Sequence, residues 1–175
     1  MEDFFKYVTP GYEDLNWGLY LHCAGKASIG PGVIYPPKAH PSGYYFTRSK
    51  GRVLNEYQIN YITEGEGIYE NESARYRIRP GSLLITKPGI WHCYWPKKSL
   101  GWVENYVGFS GHIAESIFAQ SWFMQQKAVV DIGMREEIID TYYKIFEYVQ
   151  EEKPGYQQVA AGMVMAAKLS GIDLT

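Results

Sequence analysis

Arg75-Tyr76-Arg77-Ile78-Arg79-Pro80-Gly81-Ser82-Leu83-Leu84-Ile85-Thr86-Lys87-Pro88-Gly89-Ile90-Trp91-His92-Cys93-Tyr94-Trp95 decides the fold. Its first five residues alternate polar and apolar, the period of two that marks a strand with one wet face. Pro80-Gly81 and Pro88-Gly89 then cut the chain into runs of roughly five to eight residues, long enough for strands and too short for helices. Working outward, Tyr57, Ile59 and Tyr61 alternate in the same way before a turn at Gly65–Gly67. Asn71-Glu72-Ser73 marks another turn, and Trp102–Phe109 reads as a further strand. Many short strands with tight turns and no helix between them predict antiparallel pairing in a sandwich or small barrel.

The flanks read differently. Residues 1–42 carry Pro10-Gly11, Gly30-Pro31-Gly32, Pro36-Pro37 and His40-Pro41, punctuation that forbids long helices. They predict an N-terminal arm with two short strands, near Gly18–Ala24 and Ile29–Tyr35. The barrel core spans residues 43–111, and residues 112–175 are helical. Ser110–Ala119 predicts a short helix with Ser110 as its N-cap. Over residues 135–152, Ile138, Ile139, Tyr142, Ile145, Phe146 and Val149 form one helical stripe with the charges off it. Lys153-Pro154-Gly155 ends that helix, and Tyr156–Leu169 predicts a second. Such a hairpin must bury its apolar side against the barrel wall or a second copy of the chain. Ile138, Tyr142, Ile145, Val149, Val159 and Met163 are therefore the candidate homodimer contacts, with core packing as the plain alternative.

Composition bounds the function. The chain has 175 residues, 46% hydrophobic and 21% charged, which suits a soluble globular domain. A formal net charge of -2 gives no basic excess for nucleic acid. Residues 135–175 hold seven acids (Glu136, Glu137, Asp140, Glu147, Glu151, Glu152, Asp173) against four bases (Arg135, Lys144, Lys153, Lys168), so these helices repel phosphates. The acidic N-terminus lacks the apolar core of a signal peptide, and no apolar run is long enough to span a membrane. Cys23 and Cys93 stand too far apart for a metal knuckle or redox pair, and read as reduced thiols of a cytoplasmic protein.

The segment Gly81–Trp95 carries the chemistry. Gly81 opens a strand, Pro88-Gly89 turns the chain, and His92 follows three residues after Gly89. This resembles the second signature of the cupins, a β-barrel superfamily, with one residue missing from the usual Pro-x-Gly. The resemblance implies a double-stranded β-helix, or jelly-roll, in which three His and one carboxylate commonly hold a metal. Two of those His belong to an earlier strand. Anchoring the first signature on Glu64-Gly65 puts Arg52 and Leu54 in their places, with Gln58 for the carboxylate. Anchoring it on Gly51 puts Tyr57 and Ile59 there. No His falls between His40 and His92, and one imidazole cannot hold a divalent ion alone. The expectation is a metal-free, cofactor-free binding cavity; the alternative is a metal-dependent cupin enzyme acting on a carbohydrate.

A wider set of motifs sharpens this. Tyr57-Gln58-Ile59-Asn60-Tyr61-Ile62-Thr63-Glu64-Gly65-Glu66-Gly67, Ile78-Arg79-Pro80-Gly81-Ser82-Leu83-Leu84-Ile85, Pro88-Gly89-Ile90-Trp91-His92 and Trp102-Val103-Glu104-Asn105-Tyr106-Val107-Gly108-Phe109-Ser110-Gly111 come in that order. The arrangement resembles the N-terminal half of AraC-family regulators of bacterial transcription. The family order is arm, cupin-like barrel, helical dimerisation hairpin and then a basic double helix-turn-helix domain. The resemblance implies an effector-sensing, dimerising domain with no catalytic residue. Its DNA-binding partner domain would lie outside this chain, which reads as the sensing half cut from a longer regulator, or as a stand-alone sensor.

Strand alternation selects the candidate ligand residues. His92 and Tyr94 share one face, and Trp102, Glu104 and Tyr106 share another, opposite Val103, Val107 and Phe109. An inward carboxylate is costly unless used, and an aromatic beside a charged group suits a sugar. The resemblance adds Arg48, in Phe46-Thr47-Arg48, and matches Tyr94 and the Glu104/Tyr106 pair, although the best-known sugar sensor has His and Trp in that last pair. Arg48, His92, Tyr94, Glu104 and Tyr106 are thus the expected lining. The plain alternatives are a surface Arg48 paired with Glu56, core aromatics, and a hydrogen-bonded core histidine. His22, His40 and His112 read as structural.

Overall fold

The computed structural model describes residues 1–37 and 44–170, with the side chains of Trp122, Lys168, Leu169 and Ser170 outside the description. His40, Gly43 and Asp173 lie outside the described residues.

Among the described residues nine strands and five helices follow one another: β1 (Phe4–Tyr7), α1 (Tyr12–Trp17), β2 (Tyr20–Ile29), β3 (Tyr57–Gly65), β4 (Gly67–Asn71), β5 (Arg75–Ile78), β6 (Ser82–Thr86), β7 (His92–Pro96), β8 (Trp102–Ser110), α2 (His112–Phe118), α3 (Ser121–Met124), β9 (Val129–Asp131), α4 (Glu136–Glu151) and α5 (Tyr156–Ser170). The strands form a six-stranded sheet, β1-β2-β8-β3-β6-β9, and a three-stranded sheet, β5-β4-β7. Every pairing is antiparallel. The protein is the cupin-like sandwich expected, followed by two packed helices.

Burial explains the sequence patterns. Ile62, Tyr69, Ile78, Leu84, Tyr94 and Trp102 fill the space between the two sheets. The other face of the large sheet carries Leu21, Ile59, Tyr61, Leu83, Ile85, Val107 and Phe109, and α4 and α5 cover it. The large sheet is covered on both sides, so all five residues of β6 are buried and its sequence reads as an apolar run. The small sheet keeps one wet face, so Arg75 and Arg77 alternate with Tyr76 and the buried Ile78. In β8 the alternation sends Val107 and Phe109 to the helices and Trp102, Glu104 and Tyr106 to the interior.

Three local expectations are corrected. The N-terminal stretch builds two strands of the large sheet, because β1 pairs with β2 from Phe4↔Lys26 to Tyr7↔Cys23. Residues Ile29–Tyr35 form no strand: β2 ends at Ile29, and the Gly30-Pro31-Gly32 turn is closed by the Val33 N–H on the Gly30 carbonyl, 3.3 Å. The N-cap of α2 is Gly111, not Ser110. Ser110 is the last residue of β8, and Gly111 sits so close to the Gly18 carbonyl that a Cβ there would lie 2.1 Å from it, at a φ of 124°.

The helix expectations hold to within a residue, but four of their apolar residues turn inward. Ile138, Tyr142, Ile145 and Val149 are at most 1% exposed inside one chain, and the Tyr142 hydroxyl donates to the Ile59 carbonyl at 2.9 Å. As dimer contacts these four are therefore corrected, since the sheet already covers them. Met163 is half-buried and Val159 is 41% exposed.

Candidate functional site

Between the sheets, toward the N-terminal segments, lies a cavity of about 20 Å³. From the strands it takes Gln58 of β3, Tyr94 of β7, and Glu104 and Tyr106 of β8; Arg52 stands just before β3. Tyr7 of β1 and, from outside the strands, Tyr35, Pro36, Tyr44 and Phe46 close it. A space of that size holds about one water. Gly25 on β2 makes the wall possible, because a Cβ there would lie 2.5 Å from the Tyr106 hydroxyl.

Arg52 is the hub. Its Nε–H donates to His92 Nε2 at 3.0 Å, Nη1 to the Tyr44 carbonyl at 2.6 Å, and Nη2 to Gln58 Oε1 at 3.0 Å and the Tyr94 hydroxyl at 2.6 Å. The guanidinium also lies 4.8 Å from the Phe46 ring centroid. All four acceptors are neutral. With its Nε2 lone pair taken by Arg52, His92 carries its proton on Nδ1 and donates it to the Ile90 carbonyl, 3.1 Å away. Burial first, and then the Arg52 charge, push the imidazole down to about 4, so it stays neutral.

Glu104 faces the same cavity and is 4% exposed. The Tyr35 hydroxyl lies 3.1 and 3.2 Å from its two carboxylate oxygens. Burial lifts the carboxyl up to about 7, against the opposing pull of the Tyr35 hydrogen bond and the Arg52 charge. Arg52 and Glu104 thus share one small chamber without an ion pair between them. Tyr106, which is 6% exposed, has a buried hydroxyl with no hydrogen-bond partner among the described residues.

Of the five residues expected from the sequence, Tyr94, Glu104 and Tyr106 line the cavity, and His92 stands one step behind Arg52. Arg48 does not reach it. Phe46-Thr47-Arg48 belongs to no strand; the Lys50 and Gly51 N–H groups fold back on the Thr47 carbonyl. Arg48 is exposed, and its guanidinium lies 4.3 Å over Trp95 on the outer face of the small sheet. Nor does it pair with Glu56, which is buried beneath the Tyr44 hydroxyl, 2.8 Å, and the Cys23 thiol, 3.6 Å. Arg52 and Gln58 occupy the place in the lining expected of Arg48. The spacing that replaced two metal ligands by these residues was their signal in the sequence. Tyr35 and Tyr44 had no signal, because they lie outside the strands and helices and carry no period, and Tyr7 had none because β1 is only four residues long.

Cys23 and Cys93 are both free and buried. The Nε2 of His22 lies 2.9 Å from Ser110 Oγ, and the His112 ring packs on Gly18. A cupin metal does not fit this donor set: the His92 lone pair is occupied, a guanidinium donates where a ligand should accept, and among the described residues no three His, Cys, Asp or Glu side chains converge. Among the described residues no helix is long and apolar enough to cross a membrane.

Polar and aromatic side chains thus line one small chamber between the two sheets of a cupin-like sandwich. The chain belongs to the AraC-like ligand binding domain family, which it matches over residues 31–157. No curated protein matches it. Among solved structures it is similar to YhaK from Escherichia coli, at 13% identity and a TM-score of 0.47, over 77% of this chain and 52% of that one. It thus spans about half of YhaK's length. It is also similar to a Cupin 2 conserved barrel domain protein from Salinispora arenicola CNS-205 (16% identity, TM-score 0.37, 67% of this chain and 82% of that one). The cupin domain of Cnp3 from Schizosaccharomyces pombe is a third (12% identity, TM-score 0.39, 67% and 73%).

Proposed function

We propose that this chain is the effector-sensing and dimerisation domain of a cytoplasmic AraC-type regulator, that its effector is a sugar or similarly hydroxyl-rich small molecule, and that it catalyses nothing. The observation that carries this is the unpaired coexistence of Arg52 and Glu104 around one chamber, beside the orphan hydroxyl of Tyr106. A sugar hydroxyl both donates and accepts, so it can bridge a guanidinium and a carboxylate that do not meet, while Tyr94 and Phe46 offer apolar faces to the ring carbons. The effector acts by binding one arrangement of the arm and barrel better than another, and so repositions DNA-binding domains supplied outside this chain.

The test is a thermal-shift and calorimetric screen of mono- and oligosaccharides. A sugar at 100 times its Kd should add about 2.7 kcal/mol of stability. Once a binder is found, Arg52→Met should weaken it about tenfold to a hundredfold, the scale of a lost charged hydrogen bond. Arg48→Ala should leave it within about twofold. Equal losses at both positions, or no sugar binding at all, would refute the assignment.

A further inference from the structure

One side chain already sits in the chamber in the manner of a guest. Tyr35 follows β2 in a stretch that belongs to neither sheet. Its hydroxyl reaches both oxygens of Glu104, at 3.1 and 3.2 Å. Its ring meets Trp102 edge to face with centroids 5.4 Å apart, Phe46 likewise at 6.1 Å, and Tyr94 at a tilt at 6.0 Å. A six-membered ring between aromatic walls, with one hydroxyl on a buried carboxylate, is the contact set a ring-shaped polyol would need. With Tyr35 in place the remaining space, about 20 Å³, admits a water and no ring.

We propose that Tyr35 is a built-in occupant of the effector site, and that the effector is a ring-shaped, hydroxyl-bearing molecule of about phenol size that displaces it and takes over Glu104. This rests on the reading of the barrel as the effector site. The anchoring of the two polar groups differs in kind. Arg52 is held from β3, β7 and the Tyr44 backbone at once, so it stays when a guest arrives. Tyr35 enters from an irregular stretch, and the way out is built: a groove of about 590 Å³, lined by Phe4, Phe5, Ile29, Val33 and Pro37, shares the Tyr106 wall with the chamber. Val33 and Pro37 are two residues to either side of Tyr35, so the groove borders the segment that must move. The Tyr106 hydroxyl, which has no partner among the described residues, fits the same picture, because a ring of that size with a second hydroxyl gives it one.

Emptying the chamber and refilling it with the missing piece is the experiment. Tyr35→Ala removes the ring, and p-cresol is that ring as a free molecule. Calorimetry and thermal shift should show p-cresol binding Tyr35→Ala about tenfold to a hundredfold tighter than the unsubstituted chain, since a site blocked most of the time binds more weakly by its open fraction. Toluene, which lacks the hydroxyl, should bind the variant more weakly than p-cresol. If Tyr35→Ala cannot be purified folded, Tyr35→Leu should show the same preference to a smaller degree. Equal p-cresol affinity for variant and unsubstituted chain overturns the proposal. A saccharide panel on the same proteins separates it from the reading it rests on. If p-cresol fills the variant while no sugar binds either protein, Tyr35 is an occupant and the sugar reading fails. If a sugar binds both proteins equally, the displacement fails and the sensing domain stands.

Discussion

Glu104 is buried where its charge is least welcome, and that makes it titrate in the neutral range. Its carboxyl rises from the ordinary 4.5 to about 7, so the folded protein holds this proton more tightly than the unfolded chain. Below about pH 4.5 both states are protonated, and the protonated group favours neither. As the pH climbs from there through about 7, the unfolded chain ionises first and the folded state loses up to roughly 3 kcal/mol relative to it. Glu104→Gln removes that loss. Urea titrations should show the variant more stable than the unsubstituted chain at about pH 8, with the gap closing toward about pH 4.5. Parallel stability curves would mean that the carboxyl is better solvated than its 4% exposure implies. His92 works in the other direction, since its lowered value makes acid favour unfolding, but both proteins share that contribution and it cancels in the comparison.

At the scale of elements, the large sheet separates two interiors. The Val107 and Phe109 side of β8 packs against helices, and its Glu104 and Tyr106 side walls the chamber. A slip of one residue would exchange the two faces, so the register Asn60↔Tyr106 with β3 and Gly25↔Tyr106 with β2 positions the site. The helices hold that sheet in place. Ile145 of α4 is fully buried among the apolar residues of the sheet and α5. Ile145→Ala should cost about 2–5 kcal/mol through lost contact and a residual void, lowering Tm by roughly 2–4 °C per kcal/mol in a chain of this size. Chemical denaturation measures the first and calorimetry the second. A loss under about 1 kcal/mol would mean that the helix does not brace the sheet.

For the molecule as a whole, three layers (small sheet, large sheet, helix pair) leave one side of the hairpin uncovered by the described residues. The residues first expected to meet a second copy are mostly spent on the sheet, and Val159, at 41% exposure, with the half-buried Met163 is what remains. If a second copy docks there, Val159→Glu should shift sedimentation from dimer to monomer while changing the unfolding free energy of the monomer by no more than about 0.5 kcal/mol, as for an ordinary surface substitution. An unaltered dimer would place the contact elsewhere.

Periodicity is a local property, and it carried far in this chain. The alternation of Arg75–Ile78, the breaks at Pro80-Gly81 and Pro88-Gly89, and the stripe from Ile138 to Val149 specified antiparallel strands and a helical hairpin before any contact was known. Alternation along β8 likewise turned Glu104 and Tyr106 inward. What no period encodes is which residues from outside the barrel strands close the chamber. Only tertiary packing brought Tyr7, Tyr35 and Tyr44 onto the chamber and sent Arg48 outward over Trp95. It also set Arg52 against His92, at a separation of 40 residues. It decided, too, whether an apolar helix face meets its own sheet or another molecule, because a stripe of Ile, Tyr and Val states that it must be buried and leaves open against what.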